Sequence, residues 1–216
     1  MTQDAAARDP EPQDEAPQDR KHWTATTHDW TEDLDVEHLH TIQRAADVYG
    51  RGGRRHQILE IAAYANDEAE SQGRRGMLLV RSWPNGWVSV ADDGRGTDTR
   101  TDGNGQVIRK PVMATKDLRF FDDQDPPLLP DGLPRRGMST VAAFSSLLIH
   151  ENHRAEGSWV QRYRQGIPEA ELREMAGRET SGTTVAFFSE AGEPFDLTDE
   201  DLEAFAWLTI RHSREP

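Results

Sequence analysis

One segment constrains the fold before any other. In His56–Ser71, Ile58, Ile61, Ala62, Ala65 and Ala69 recur at helical spacing, and Gly73 follows as a stop. An apolar stripe of this length needs a surface to cover it. Strand-like runs at Met77–Trp83, Trp87–Ala91, Trp159–Gln165 and Thr183–Phe188 supply that surface, the first two joined by a hairpin turn at Pro84-Asn85-Gly86. Asp35–Tyr49, Val112–Phe121 and Asp199–His212 read as further helices, the last with Thr198 as N-cap, and Ser139–Leu148 as a helix or helix start. Residues 97–110 and the proline-rich Asp122–Asp131 read as loops. Helices mixed with mostly hairpin-connected strands predict an α+β fold, a sheet with helices on one face.

Charge divides the chain unevenly. The net charge is -14, and residues 1–40 hold eleven acids against three bases. After Met1, the first 20 residues contain no Val, Ile, Leu or aromatic side chain. Such a segment cannot bury enough surface to offset its chain entropy. We therefore expect a disordered acidic tail over residues 1–35 and one folded domain over 36–216. Trp23 and Trp30 are placed to dock a later part of this arm, and the tail reads as a solubilising leader or as a partner-binding arm. The acid excess argues against direct DNA binding, which needs a basic surface. The absence of cysteine excludes disulfides and thiolate metal sites, and suits a cytoplasmic setting. No apolar run approaches the roughly 18 residues of a membrane span, and MTQDAAARDP lacks the charge-then-apolar pattern of a signal segment.

Four elements carry chemistry-bearing residues. Glu60 lies between Leu59 and Ile61 on the long helix and shares a face with Tyr64. It is either a solvated acid or one that projects into a cleft. Val88–Ala91 runs into Asp92-Asp93-Gly94-Arg95-Gly96, either a plain turn or a strand-end acceptor for an exocyclic amine beside a close-approach glycine. Gly132-Leu133-Pro134-Arg135-Arg136-Gly137-Met138-Ser139 leads into an apolar segment. It is an ordinary helix start or an anion-binding one, and it lacks the Gly-Lys-Ser/Thr ending of a Walker loop. Glu179–Phe187 is a small-residue turn entering a strand, with Thr183 placed to face a pocket.

Taken in order, these elements resemble the ATP-binding domain of the DNA gyrase B subunit and topoisomerase IV family. That family lies within the superfamily shared with mismatch-repair ATPases, sensor histidine kinases and a heat-shock chaperone. Leu39–Arg44 with Val48-Tyr49-Gly50 resembles the opening helix and turn, and Glu60–Ala69 the helix ending in Asp-Glu-Ala. Asp92–Gly96 matches Asp-Asp-Gly-Arg-Gly, and Gly132–Ser139 resembles the end of the ATP lid. Gln161-Arg162-Tyr163 with Gly166-Ile167-Pro168 resembles a strand ending in Gly-Val-Pro, and Gly182-Thr183 matches the late Gly-Thr.

The resemblance implies a two-layer α/β sandwich and makes residues 36–216 an ATP-binding domain. It implies Glu60 as the general base, Asp92 as acceptor of the adenine amine and Gly96 beside the base. Arg95 and Glu68 pair at the pocket floor, and Thr183 assists Asp92. Gly137 and Met138 give N–H groups to the phosphates, while Arg154 sits where the family has its pocket-edge arginine.

Two departures bear on mechanism. The family's Mg²⁺-ligating Asn, four residues after the base, is here Tyr64, a poor magnesium ligand, so the expected Mg²⁺ is in doubt. A lid glycine is here Arg135, which exchanges backbone freedom for a side-chain phosphate contact. The family's transducer and DNA-cleavage regions do not follow, so the expectation is no strand passage by this polypeptide alone and a monomer or weak dimer. Two functions fit: a weakly hydrolysing ATPase module of the type II topoisomerase class, or a nucleotide-binding regulatory or decoy module. The second points to a gyrase- or topoisomerase-like protein partner.

Overall fold

The computed structural model describes residues 27–28, 34–169, 172–189 and 197–216. Most of the acidic tail, with Trp23 and Trp30, lies outside the described residues. The helices are α1 (Val36–Arg44), α2 (Ala46–Tyr49), α3 (Gly53–Ser71), α4 (Met138–Ala143) and α5 (Asp199–Glu203). The strands are β1 (Gly76–Ser82), β2 (Trp87–Asp92), β3 (Thr99–Thr101), β4 (Val107–Arg109), β5 (Leu147–Arg154), β6 (Gly157–Arg164), β7 (Ile167–Pro168), β8 (Arg173–Glu174), β9 (Gly182–Phe188) and β10 (Leu208–Arg214). The main sheet runs β10-β1-β2-β9-β5-β6-β7, with β8 beside β6. Among the described strands, β1 and β10 pair in parallel and the other pairs of this sheet are antiparallel. The fold is α+β, a mixed sheet with helices.

Strand alternation explains the core. Leu78 and Val80, Val88 and Val90, Leu148, and Val185 and Phe187 are buried and meet Ile58, Leu59 and Ala62 of α3 in one cluster. The register puts Val80 opposite Val90, Val90 opposite Val185, and Phe187 opposite both Val88 and Leu148. Helix α3 is buried beyond its apolar stripe: His56, Gln57, Leu59, Glu60 and Ala63 are also covered. The first half of this helix is therefore enclosed, which takes Glu60 out of solvent.

Four expectations need correction. Residues 97–110 form the β3–β4 hairpin rather than a loop, because the Asp102 carboxylate accepts the Asn104 and Gln106 N–H groups at 2.9 and 2.8 Å and closes a turn. Val112–Phe121 forms successive turns instead of a helix. There the Asp117 carboxylate takes the Arg119 N–H at 3.0 Å, an alternative that competes with the helical bond. Over Ser139–Leu148 only the helix start is realised, as α4, and Leu147 onward is β5. The closing helix over Asp199–His212 stops at Glu203. Thr198 does cap it, in a reciprocal box with Asp201, but Leu208–Arg214 is claimed by the free edge of β1.

Of the early residues, His28 is buried against Thr115 (3.1 Å) and lies 3.7 Å from Asp117. Burial lowers the pKa of both His28 and His38 from 6.5 to about 4. The unfolded chain takes up these protons near pH 6.5, while the folded chain refuses them until about pH 4. Stability therefore falls as pH drops through that window. Burial raises Glu60 and Asp92, which act with the opposite sign. Between pH 7 and 5 we expect His28 alone to cost about 2 kcal/mol, or about 4–8 °C of Tm. Melting curves of the wild type and His28→Asn at both pH values check this; an equal drop in the two proteins would refute it.

Candidate functional site

Glu60, Tyr64 and Glu68 are spaced i, i+4, i+8 and so lie along one face of α3, about 12 Å from first to last. Each marks one station of a path.

At the Glu68 station, β2 ends beside the start of β9, which brings Asp92 next to Thr183. The Thr183 hydroxyl donates to one Asp92 oxygen. The Gly94 and Thr183 N–H groups donate to the other at 2.8 and 3.3 Å. Burial pushes the Asp92 carboxyl above its ordinary range, and these bonds pull it part of the way back. Asp93 points away and accepts the Met77 N–H at 2.8 Å, so the two neighbouring acids have separate jobs. At Gly182, with φ of +139°, a Cβ would stand 2.1 Å from the Asp92 carbonyl oxygen; only glycine permits this approach. Arg95 grips Glu68 through two bonds of 2.6 and 3.0 Å. Burial works to raise Glu68, but Arg95 outweighs it and holds the carboxyl below its usual range.

Behind Gly96 stands a residue that sequence reasoning missed. Asn152 accepts the Thr97 N–H at 2.7 Å and donates to the Thr97 carbonyl at 2.9 Å. Arg154 donates to the Gly96 carbonyl at 3.2 Å, and its guanidinium also meets Glu156 at 3.2 Å. Both come from β5, whose first residues the apolar pattern assigns to a helix.

At the opposite station, Glu60 is fully buried. Its carboxylate accepts the Arg136 N–H at 2.5 Å and the Gly137 N–H at 3.1 Å. His56 Nε2 is 3.6 Å away, with its Nδ1 on Asp131 at 2.8 Å. Burial raises the Glu60 pKa against these favourable contacts. The Gly137 amide to which the resemblance gives a phosphate contact is therefore bonded to Glu60 here. Met138 is buried at the start of α4. Gly137 has φ of +100°, and a Cβ there would come within 2.9 Å of Asp117 and 3.3 Å of the Tyr64 hydroxyl.

The middle station is occupied by a cluster that no sequence spacing announced. The Tyr64 hydroxyl donates to Asp117. Asp117 also accepts Arg119 Nε and Nη2 at 3.1 and 2.9 Å. Burial and the Asp117 charge keep the Tyr64 phenol protonated well above its ordinary range. Asp117 itself, although burial raises it, is held below the usual carboxylate range by Arg119 and Tyr64. Arg135 pairs with Asp67 at 2.8 Å. Its guanidinium lies 4.1 Å from the Phe120 ring centre and 4.8 Å from that of Tyr64.

Among the described residues, no group of three or more His, Asp or Glu side chains is arranged to hold a metal. Magnesium requires several hard oxygen ligands in an octahedron. A protonated phenol and a carboxylate tied to a guanidinium do not fit it.

The chain is 31% identical over 175 residues to the DNA gyrase B subunit of Mycobacterium tuberculosis, a match covering 79% of the chain and 26% of the relative. The chain is homologous to the ATP-binding domain of gyrase B. The gyrase B subunit of Streptomyces coelicolor is 27% identical over 176 residues, which is 79% of the chain and 25% of the relative. The chain thus spans about a quarter of the length of these relatives. A solved topoisomerase IV ATP-binding domain of Francisella tularensis, in complex with a small-molecule inhibitor, shares the fold with a TM-score of 0.53. That match has 20% identity over 74% of the chain and 81% of the solved domain. No protein-family model matches the chain. No helix among the described residues is long and apolar enough to cross a membrane.

Proposed function

We propose that this gyrase B-type domain binds ATP along the α3 face, with the adenine at Asp92 and the phosphates directed towards Glu60. The observation that carries the reading is the alignment of a half-buried, bond-organised carboxylate at one end of that face with a fully buried one at the other. Asp92 accepts the adenine amine, and Thr183 and Gly94 fix its orientation. Gly96 packs directly against β5, where a Cβ would stand 2.6 Å from Asn152 Oδ1, and so holds its turn beside the base, while Arg95 and Glu68 form the floor and Arg154 closes the edge. Glu60 orients the attacking water and takes its proton, as a carboxylate beside a phosphate can. To do so it must release the Arg136 and Gly137 amides, which then turn to the terminal phosphate.

That exchange makes hydrolysis slow, and it favours a second reading: a nucleotide sensor with negligible turnover that acts on a gyrase- or topoisomerase-like protein partner. Tyr64 in place of the magnesium-binding Asn favours it too. Calorimetry with ATP, alongside a phosphate-release assay, separates the two. Binding with release supports an ATPase module of the type II topoisomerase class; binding without release supports the sensor. Glu60→Ala is expected to abolish release while leaving ATP binding equal to or tighter than the wild type, because the competing carboxylate is gone. Undiminished release by Glu60→Ala would remove Glu60 as the base.

A further inference from the structure

The side chains at the family's metal position do not suit magnesium, yet they bring positive charge of another kind. We propose that Arg135 and Arg119, held against the rings of Tyr64 and Phe120, form a metal-independent clamp for the phosphates of a nucleoside triphosphate. The proposal rests on the ATP-binding reading and adds how the phosphate charge is met.

Four observations carry it. First, Arg135 is buried, 6% exposed, and its Nε has no hydrogen-bond partner. A buried donor left unpaired is costly and uncommon, and a phosphate oxygen is the acceptor that satisfies it. Second, the partner that Arg135 does have, Asp67, is half-exposed on its side chain. That carboxylate can turn to water when a more highly charged oxyanion arrives. Third, Arg119 stacks 4.5 Å from the Phe120 ring centre and 5.4 Å from that of Tyr64. Its bonds to Asp117 anchor it as a fixed charge. Fourth, Tyr64 stands one helical turn from Glu60 and one from Glu68, so the pair of guanidiniums lies between the terminal-phosphate station and the adenine station.

The chemistry is consistent with that position. Two guanidiniums carry the formal charge of one divalent cation; Asp117 and Asp67 offset it in the free protein, and the turning of Asp67 to water releases part of it to the phosphates. The planar guanidinium forks match phosphate oxygens. Stacked on aromatic rings, they are oriented before the ligand arrives, which reduces the entropy lost on binding.

The test is calorimetry of the full chain with ATP, once in excess Mg²⁺ and once in EDTA, with inorganic tripolyphosphate as competitor. We expect the wild type to bind ATP in EDTA within about threefold of its affinity in Mg²⁺. Tripolyphosphate should displace ATP in EDTA. Arg135→Ala and Arg135→Lys should each weaken binding in EDTA, the Ala variant by at least about tenfold. Arg135 is the chosen position because removing Arg119 leaves Asp117 buried without its cation. The wild-type comparison needs no variant at all. Binding that appears only with Mg²⁺ overturns the clamp and leaves the ATP reading standing. Unchanged affinity of Arg135→Ala in EDTA, or failure of tripolyphosphate to compete, also overturns the clamp. No ATP binding under either condition overturns both.

Discussion

Asp92→Asn is expected to weaken ATP binding by about 10- to 100-fold while leaving the fold intact. The carboxylate is already committed to three donors, from Thr183 and Gly94. An amide of the same shape can keep the two N–H bonds through its oxygen. Its NH₂ then replaces the oxygen that accepts from Thr183, and the acceptor for the adenine amine is lost. A hydrogen bond to a charged group is worth about 1.5–3 kcal/mol, which gives the stated range. The folded protein loses little, because burial already penalises the ionised Asp92. Calorimetry with ATP, paired with a melting curve, reads both quantities. Equal affinities in the two proteins would mean that Asp92 does not read the base.

Tyr64→Asn is expected to cost about 3 kcal/mol of stability and to make nucleotide binding depend on Mg²⁺. The ring is packed against the core and against two guanidiniums, and its hydroxyl satisfies Asp117. The ring is half-buried, so the cavity left by replacing it with a small side chain costs towards the low end of the about 3–5 kcal/mol typical of a fully buried Phe→Ala. The polar Asn recovers part of this by reaching Asp117 or water. For a chain of this length the change corresponds to about 6–12 °C of Tm. The same cavity admits a hydrated ion, and the Asn oxygen is a ligand magnesium accepts. The melting temperature with ATP, with and without Mg²⁺, should then separate in the variant and coincide in the wild type. An unchanged Tm without ligand would show that Tyr64 is not a packing residue.

Local chemistry decides how much of this is legible in the chain. Asp92–Gly96 is legible because a strand end, two acids and two glycines sit within five consecutive positions, so spacing alone specifies the turn. Helix α3 is legible through its stripe, but the burial of Leu59, Ala63 and Glu60 depends on α4 and the preceding loop wrapping the other side. The start of β5 is hidden because the small apolar residues of α4 run into it without a break, and Asn152 is hidden with it. The cluster of Tyr64, Asp117, Arg119 and Arg135 joins α3 to positions 53 or more residues further along and follows no periodicity. The role of His28 depends on its contacts with Thr115 and Asp117, which composition does not reveal.

The parallel pairing of β10 with β1 has a consequence for the order of assembly. These strands are separated by more than 120 residues, and β1 is an edge strand until Leu208–Arg214 arrives. On the ribosome, Gly76–Ser82 emerges long before its partner and presents one bare row of N–H and C=O groups throughout that interval. Long-range pairings of this kind form slowly, and an uncovered edge recruits other chains. Once β10 has docked, it becomes the outer edge itself, and the exposed Arg211 and Arg214 make that edge a poorer template for other chains than bare β1.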